Sequence, residues 1–313
     1  MPLHLPTTFV HDFKSSNLFN RAGMASHVAF AADSRLLAIA GDGRTIDLWD
    51  AYEAKQVGSL SGHEPSRLKG TVSALASSPD GQLLASGGQD KTVRLWRTAD
   101  GASVNVLTGF SESVRRLAFN PSAPVLAAAD KNSVRLFDLA SGAVRPVTLP
   151  EGGVNDLAFT ADGSLLAVAL GGQEKKGAHP IALVNPVDGS VAQTVGEREF
   201  LARALAFSPD GRLLAVALRE KGVIQLRDSA SWQVVRTLKV TAYAVFALAF
   251  SPQGVLGAAL GDRVGLWDLT TESEPAAAKV PFVKSCFVET LAFSPDGQLL
   301  ATCRSGSNVR VYR

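Results

Sequence analysis

The stretch Leu205–Ala215 reads Leu-Ala-Phe-Ser-Pro-Asp-Gly-Arg-Leu-Leu-Ala, and Leu291–Ala301 repeats it with Gln in place of Arg. Five degenerate copies can be aligned with these two when the Phe at the third position, or the residue that replaces it, is used as a marker. The seven markers lie 40 to 48 residues apart, at Phe30, Ser77, Phe119, Phe159, Phe207, Phe250 and Phe293. A period of this length, kept along the whole chain, is typical of a propeller array.

The second copy shows the order of strands within one repeat. Apolar segments at 72–77, 83–87, 92–96 and 103–107 predict four strands, and Ser78-Pro79-Asp80-Gly81 predicts the turn between the first two. In such a turn Pro presets φ, Asp bonds to nearby backbone and Gly supplies the positive φ. Each repeat is therefore predicted to be a four-stranded antiparallel blade, which must stack on its neighbours to bury its apolar faces.

The sequence as a whole predicts an all-β, seven-bladed β-propeller that forms a single domain over residues 1–313. The last copy contains only three predicted strands, and the apolar segment 7–13 has no other obvious partner. We expect this N-terminal segment to complete the last blade as its outer strand. Closure of this kind leaves no open sheet edge between the first and last blades.

Short dipeptides at fixed places in the repeats point to a family. Trp-Asp stands at 49–50 and 267–268, with the degenerate forms Phe137-Asp138 and Arg227-Asp228, and Gly-His stands at 62–63. On these registered copies the chain resembles the WD-repeat β-propellers. The resemblance implies a buried, hydrogen-bonded structural tetrad made of His63, Ser86, Asp90 and Trp96.

The resemblance also implies where partners bind. In family members that bind peptides, the residue after the leading residue of each first strand faces the mouth of the central channel, on the upper face. We call the corresponding residues the mouth ring: Ser26, Ser73, Arg115, Asn155, Arg203, Phe246 and Glu289. Two arginines with one aromatic ring could hold an acidic segment, because Arg binds carboxylates and phosphates with two hydrogen bonds. The alternative is that Arg115 and Arg203 are merely solvated and Phe246 is packed.

Two long connections, at 63–71 and 171–180, are further binding candidates on the upper face, since long loops on a rigid scaffold commonly carry function. The charge balance, 31 basic against 29 acidic residues with a net charge of +2, does not favour a membrane or nucleic-acid surface. No secretory signal or membrane-length apolar run is visible, which predicts a cytoplasmic protein. Cys286 and Cys303 are expected to be small buried side chains.

The chemistry-bearing residues do not form a recognisable catalytic motif. The five histidines are scattered, and no His-x-His or Cys-x-x-Cys spacing occurs, so no metal, cofactor or catalytic site is predicted. This favours a non-catalytic scaffold, monomeric as a fold unit, that binds a protein or peptide partner. One alternative is a hydrolase or lactonase propeller, to which the mouth ring offers only Glu289. The other is an anion or nucleic-acid platform, which Arg115, Arg116, Arg203, Lys175 and Lys176 favour and Glu112, Glu174, Glu197 and Glu199 oppose.

Overall fold

The structure, a computed structural model, describes residues 8–13, 25–41, 44–64, 72–150, 152–171, 181–196, 201–218, 222–240, 244–261, 263–269, 278–279, 288–304 and 309–313. Its strands are, in chain order, β1 (Phe9–Phe13), β2 (Ala25–Phe30), β3 (Leu36–Gly41), β4 (Thr45–Asp50), β5 (Lys55–Ser61), β6 (Val72–Ser77), β7 (Leu83–Gly88), β8 (Val93–Arg97), β9 (Ser103–Leu107), β10 (Arg116–Phe119), β11 (Val125–Ala129), β12 (Val134–Asp138), β13 (Val144–Val147), β14 (Gly153–Phe159), β15 (Leu166–Gly171), β16 (Ile181–Val184), β17 (Val191–Val195), β18 (Ala202–Phe207), β19 (Leu213–Leu218), β20 (Val223–Asp228), β21 (Val234–Lys239), β22 (Ala247–Phe250), β23 (Val255–Ala259), β24 (Val264–Asp268), β25 (Ala278–Lys279), β26 (Val288–Phe293), β27 (Leu300–Arg304) and β28 (Val309–Tyr312).

These strands form seven four-stranded sheets, and every pairing within them is antiparallel. Blades 1 to 6 each use four consecutive strands, from β2–β5 to β22–β25, and blade 7 has the order β1-β28-β27-β26. The predicted seven-bladed propeller is confirmed. Within the described residues, no helix has the length and apolarity needed to cross a membrane.

The ring closes through the N-terminal strand, as the sequence predicts. Phe9 lies opposite Tyr312 and Phe13 opposite Val309, while Thr8 and Arg313 exchange two backbone hydrogen bonds of 2.9 and 2.8 Å. The buried Phe13 ring also packs edge-on against Trp49 of blade 1, at 5.4 Å between ring centres. Strand β1 therefore completes blade 7 and helps to join it to blade 1.

The hydrophobic core lies between the blades. Most buried apolar residues of the described chain fall into seven clusters, and each cluster draws its members from two adjacent blades. The first strands β2, β6, β10, β14, β18, β22 and β26 contact one another in that order, and β26 contacts β2. They form a closed inner ring, so their exposed edges face the central axis.

The Ser-Pro-Asp-Gly turns join first and second strands on the lower face. In blade 2, Ser78 Oγ donates to Asp80 Oδ1 over 2.6 Å, and the N–H of Leu83 donates to Ser78 Oγ over 2.9 Å. Gly81 closes the turn with a φ of 70°, a conformation that L side chains rarely adopt. The same arrangement recurs at Ser208–Leu213 and Ser294–Leu299. The repeated phrase is thus a turn whose side chains satisfy its own backbone.

Candidate functional site

The seven mouth-ring residues lie at equivalent positions at the upper ends of the first strands, within the first three residues of the strand in five blades and directly before it in blades 3 and 6. In five blades the ladder between first and second strands skips one residue there, which forms a bulge; those residues are Ser26, Ser73, Asn155, Arg203 and Glu289. Arg115 and Phe246 instead donate their N–H to Ala129 and Ala259, both over 2.8 Å. Because a bulge aims its side chain away from the regular pleat, this position presents side chains along the inner ring.

Two of the mouth-ring side chains bond to the next blade. Ser73 Oγ donates to the carbonyl oxygen of Val114 over 2.7 Å, and Asn155 Nδ2 donates to that of Ala202 over 2.8 Å. Val114 lies two residues before β10, and Ala202 is the first residue of β18. Ser73 and Asn155 therefore tie neighbouring blades together, which leaves less of their hydrogen-bonding capacity for a ligand.

The other polar members differ in how they are held. The Arg203 guanidinium carbon lies 4.4 Å from the centre of the half-buried Phe246 ring, a cation–π contact between blades 5 and 6. Arg115 and Glu289 are exposed. No hydrogen bond or ion pair joins the Arg115 guanidinium to another residue that the structure describes. Of Ser26 only the backbone is described. The mouth thus carries arginines on blades 3 and 5.

Arg116 and Asp156, which directly follow the mouth-ring residues of blades 3 and 4, form a polar group that the sequence did not predict as a site. Arg116 Nε lies 3.1 Å from Asp156 Oδ1, and Asp156 Oδ2 accepts the N–H of Leu205 over 2.9 Å. These contacts connect blades 3, 4 and 5 beside the axis. The signal was available in the register: Arg116, Asp156 and His27 stand where other blades have Ala or Thr.

The surroundings of this group perturb its protonation. Burial, followed by the positive charge of Arg116, lowers the pKa of His27 to about 3, so that this ring is neutral at pH 7. Burial raises the pKa of Asp156, although Arg116 and the N–H of Leu205 oppose the shift. The Asp156 side chain nevertheless keeps 20% of its surface accessible. A largely enclosed carboxylate that keeps some solvent exposure is consistent with a position on the wall of the central channel.

The residues of the implied tetrad form a hydrogen-bonded chain in blade 2. His63 Nδ1 lies 2.9 Å from Asp90 Oδ2, His63 Nε2 lies 2.8 Å from Ser86 Oγ, and Trp96 Nε1 donates to Ser86 Oγ over 2.8 Å. Burial would raise the pKa of Asp90, but hydrogen bonds from His63, Thr92 and the N–H of Glu64 outweigh it and lower the pKa to about 2. The carboxylate only accepts, so His63 donates from Nδ1 and accepts from Ser86.

Blade 3 holds its leading loop with a different aspartate. Asp130 accepts the backbone N–H of Ser111 and Glu112 from that loop, at 3.2 and 3.3 Å. It also accepts the N–H groups of Asn132 and Ser133, at 2.8 and 2.7 Å. The sequence reasoning missed Asp130, because it stands two residues earlier relative to its second strand than Asp90 does.

The remaining candidates are less informative. Most of the two long connections, residues 65–71 and 172–180, lies outside the described residues. Cys303 is fully buried, as expected, and Cys286 is not described. Over the described ranges, His, Cys, Asp and Glu side chains form no group of three or more that could hold a metal ion.

Comparison with known families identifies the repeats. The model for the WD domain, G-beta repeat (WD40) matches residues 54–97, 101–138 and 282–313. The chain is a seven-bladed propeller in which three segments match the WD40 repeat. Residues 54–97 contain β5 of blade 1 and β6–β8 of blade 2, so a WD40 repeat is offset by one strand from a blade. No curated protein matches the chain. WD40 propellers are generally protein-interaction scaffolds without enzymatic activity.

Proposed function

We propose that this WD40 propeller is a non-catalytic scaffold that binds an acidic protein or peptide segment at the mouth of its channel. It would do so in the cytoplasm, as a monomeric fold unit. The mouth ring supplies the binding surface, with Arg115 and Arg203 as the anion-binding residues and Phe246 as the apolar contact.

The observation that carries the proposal is the unequal use of the mouth-ring side chains. Ser73 and Asn155 bond to neighbouring blades, whereas Arg115 is exposed and makes no described ion pair. The Arg203 guanidinium carbon lies 4.4 Å from the centre of the Phe246 ring, so a cation and an aromatic ring stand together at the mouth. A carboxylate that approaches blades 3 to 5 would therefore meet two cationic side chains.

The mouth ring offers poor support for a hydrolase. Its one carboxylate is Glu289, and catalytic hydrolysis by a propeller needs acidic or imidazole groups that converge on a metal or substrate. Elemental analysis of the purified protein tests this alternative, since a stoichiometric bound metal would argue for catalysis and against the scaffold.

The scaffold is tested by comparing what wild type and an Arg115→Glu, Arg203→Glu, Phe246→Ala variant capture from native lysate. The matched control is Arg97→Glu, Arg212→Glu, Val187→Ala, which makes the same types of change at exposed positions of the lower face. We expect the mouth variant to lose specific partners that wild type and the control both retain. Equal captured sets for all three proteins would remove the mouth from consideration and leave the fold untouched.

A further inference from the structure

The channel contains one pair of opposite charges that the mouth does not explain. Arg116 and Asp156 stand on the first strands of blades 3 and 4, each two residues after the leading residue, and their side chains are 37% and 20% exposed. The first strands form the inner ring, which places these partly exposed groups beside the central axis. Arg116 follows Arg115 of the mouth ring in the chain, and its Nη1 donates to the Arg115 carbonyl oxygen over 2.8 Å.

The equivalent positions in three other blades carry small side chains. Blades 2, 5 and 6 have Ala74, Ala204 and Ala247 there, whose side chains end at Cβ. Ala74 and Ala204 are buried, whereas Arg116 and Asp156 keep part of their surface exposed. The accessible polar groups at this level therefore lie on blades 3 and 4.

The charges at this level and at the mouth favour an anion over a cation. His27 is neutral at pH 7, so it contributes no charge beside Arg116. At the upper ends of the first strands of blades 3 to 5 the charged side chains are Arg115, Arg116, Arg203 and Asp156, and Asp156 pairs with Arg116. Asp156 already shows how a carboxylate is bound here, by one guanidinium nitrogen and one backbone N–H.

We propose that Arg116 is the inner ligand of an anion site in the channel, and that a carboxylate of the partner segment passes Arg115 and binds beside Asp156. The inference rests on the proposed function and adds to it that the acidic side chain is inserted rather than held at the rim. Asp156 then competes with the incoming carboxylate for Arg116. Removal of its charge should strengthen binding, whereas removal of the Arg116 charge should weaken it.

The test measures binding of an N-acetylated, C-amidated triglutamate peptide to purified full-length protein by calorimetry at pH 7, with trilysine as the opposite-charge probe. Arg116→Gln should weaken triglutamate binding roughly tenfold or more, the usual effect of losing a charged hydrogen bond. Asp156→Asn keeps the shape and an acceptor for Leu205, and should tighten binding severalfold. Arg116→Lys, which retains the charge, should fall between wild type and Arg116→Gln and serves if the Gln variant does not fold.

The matched control pair is Arg145 and Asp138 of blade 3, an ion pair of similar exposure, 29% and 22%, away from the channel. Arg145→Gln and Asp138→Asn should leave triglutamate affinity within about twofold, since both residues lie on the outer strands β12 and β13. A purely structural role of Arg116 and Asp156 would lower the melting temperature of both channel variants without moving affinity in opposite directions.

Two failures can be told apart. If Arg115→Gln weakens binding and Arg116→Gln does not, the acidic segment stays at the mouth, so the insertion is wrong and the proposed function stands. If wild type binds triglutamate no better than trilysine, insertion of a carboxylate is wrong. The lysate comparison then decides whether the mouth binds partners of another chemistry.

Discussion

Replacement of His63 by Ala tests how much of the stability of blade 2 depends on its hydrogen-bonded chain. The His63 side chain is 1% exposed and joins the leading loop to the second strand through Ser86 and to the following turn through Asp90. In the variant the Ser86 hydroxyl keeps the indole donor of Trp96 but loses its acceptor. Asp90 keeps Glu64 and Thr92 but loses its imidazole donor.

The expected loss follows from these two changes. A buried hydroxyl without an acceptor costs about 1 kcal/mol or more, and loss of one hydrogen bond to a carboxylate costs about as much again. We expect the free energy of unfolding to fall by about 2–3 kcal/mol. A chain of 313 residues has an unfolding entropy of about 0.7 kcal/mol per kelvin near its melting point, so the melting temperature should fall by about 3–4 °C.

Urea denaturation followed by tryptophan fluorescence and circular dichroism measures this loss, provided that both probes give one transition. Ser111→Ala is the matched control, because Ser111 contacts Asp130 of blade 3 through a long bond of 3.3 Å and is exposed. It should change stability by less than about 0.5 kcal/mol. A His63→Ala protein as stable as the Ser111→Ala protein would refute the structural role that the tetrad geometry suggests.

Three further outcomes follow from the structure. The pKa of Asp90 is lowered to about 2 in the folded protein, so its charge stabilises the fold above about pH 4, and that contribution is lost as the pH falls through 2. Asp90→Asn should therefore lower the free energy of unfolding by about 2 kcal/mol in urea denaturation at pH 7, and by far less near pH 2. Ser77→Val should raise the melting temperature by about 1–2 °C. The substitution fills part of a cavity of about 10 Å³ between blades 1 and 2, and it removes a buried hydroxyl without a described partner. A lower melting temperature would show that the site cannot accept the methyl groups. Deletion of residues 1–15 should lower the melting temperature by at least about 5 °C, or cause aggregation that light scattering detects. The deletion removes the buried Phe13 and exposes the edge of β28. Unchanged thermal unfolding would contradict closure of the ring by β1.

The architecture could be predicted because one short sequence motif, with its turn residues, recurs along the chain in complete or degenerate form. Turn residues fix the lower ends of the strands, and in blade 2 the predicted third strand at 92–96 is observed at Val93–Arg97. The closing strand could be predicted as well, since a three-stranded last blade leaves one edge for an apolar segment. Both inferences needed only periodicity and the requirement that sheet edges be paired.

The polar contacts between blades could not be predicted with the same success. Which side chain reaches the next blade depends on where a first strand bulges and on the angle between neighbouring sheets, and neither is encoded in the repeat phrase. Ser73 and Asn155 are examples, because register alone places them at the mouth while their hydrogen bonds run to Val114 and Ala202. Arg116 and Asp156 belong to different repeats, so only assembly of the blades brings them together.

Where the tetrad is absent, packing between blades replaces it. In blade 1, Ile39 occupies the place of Ser86 opposite the third strand, and the buried Trp49 Nε1 has no described hydrogen-bond partner. In blade 6, the Trp267 ring lies over Gly265, where a Cβ would collide with it. Both indoles are therefore held by apolar neighbours in the clusters between blades. Because stability resides mainly in those clusters, the side chains at the upper ends of the first strands can vary in charge without loss of the fold. Arg115 of blade 3 and Arg203 of blade 5 are examples of this variation.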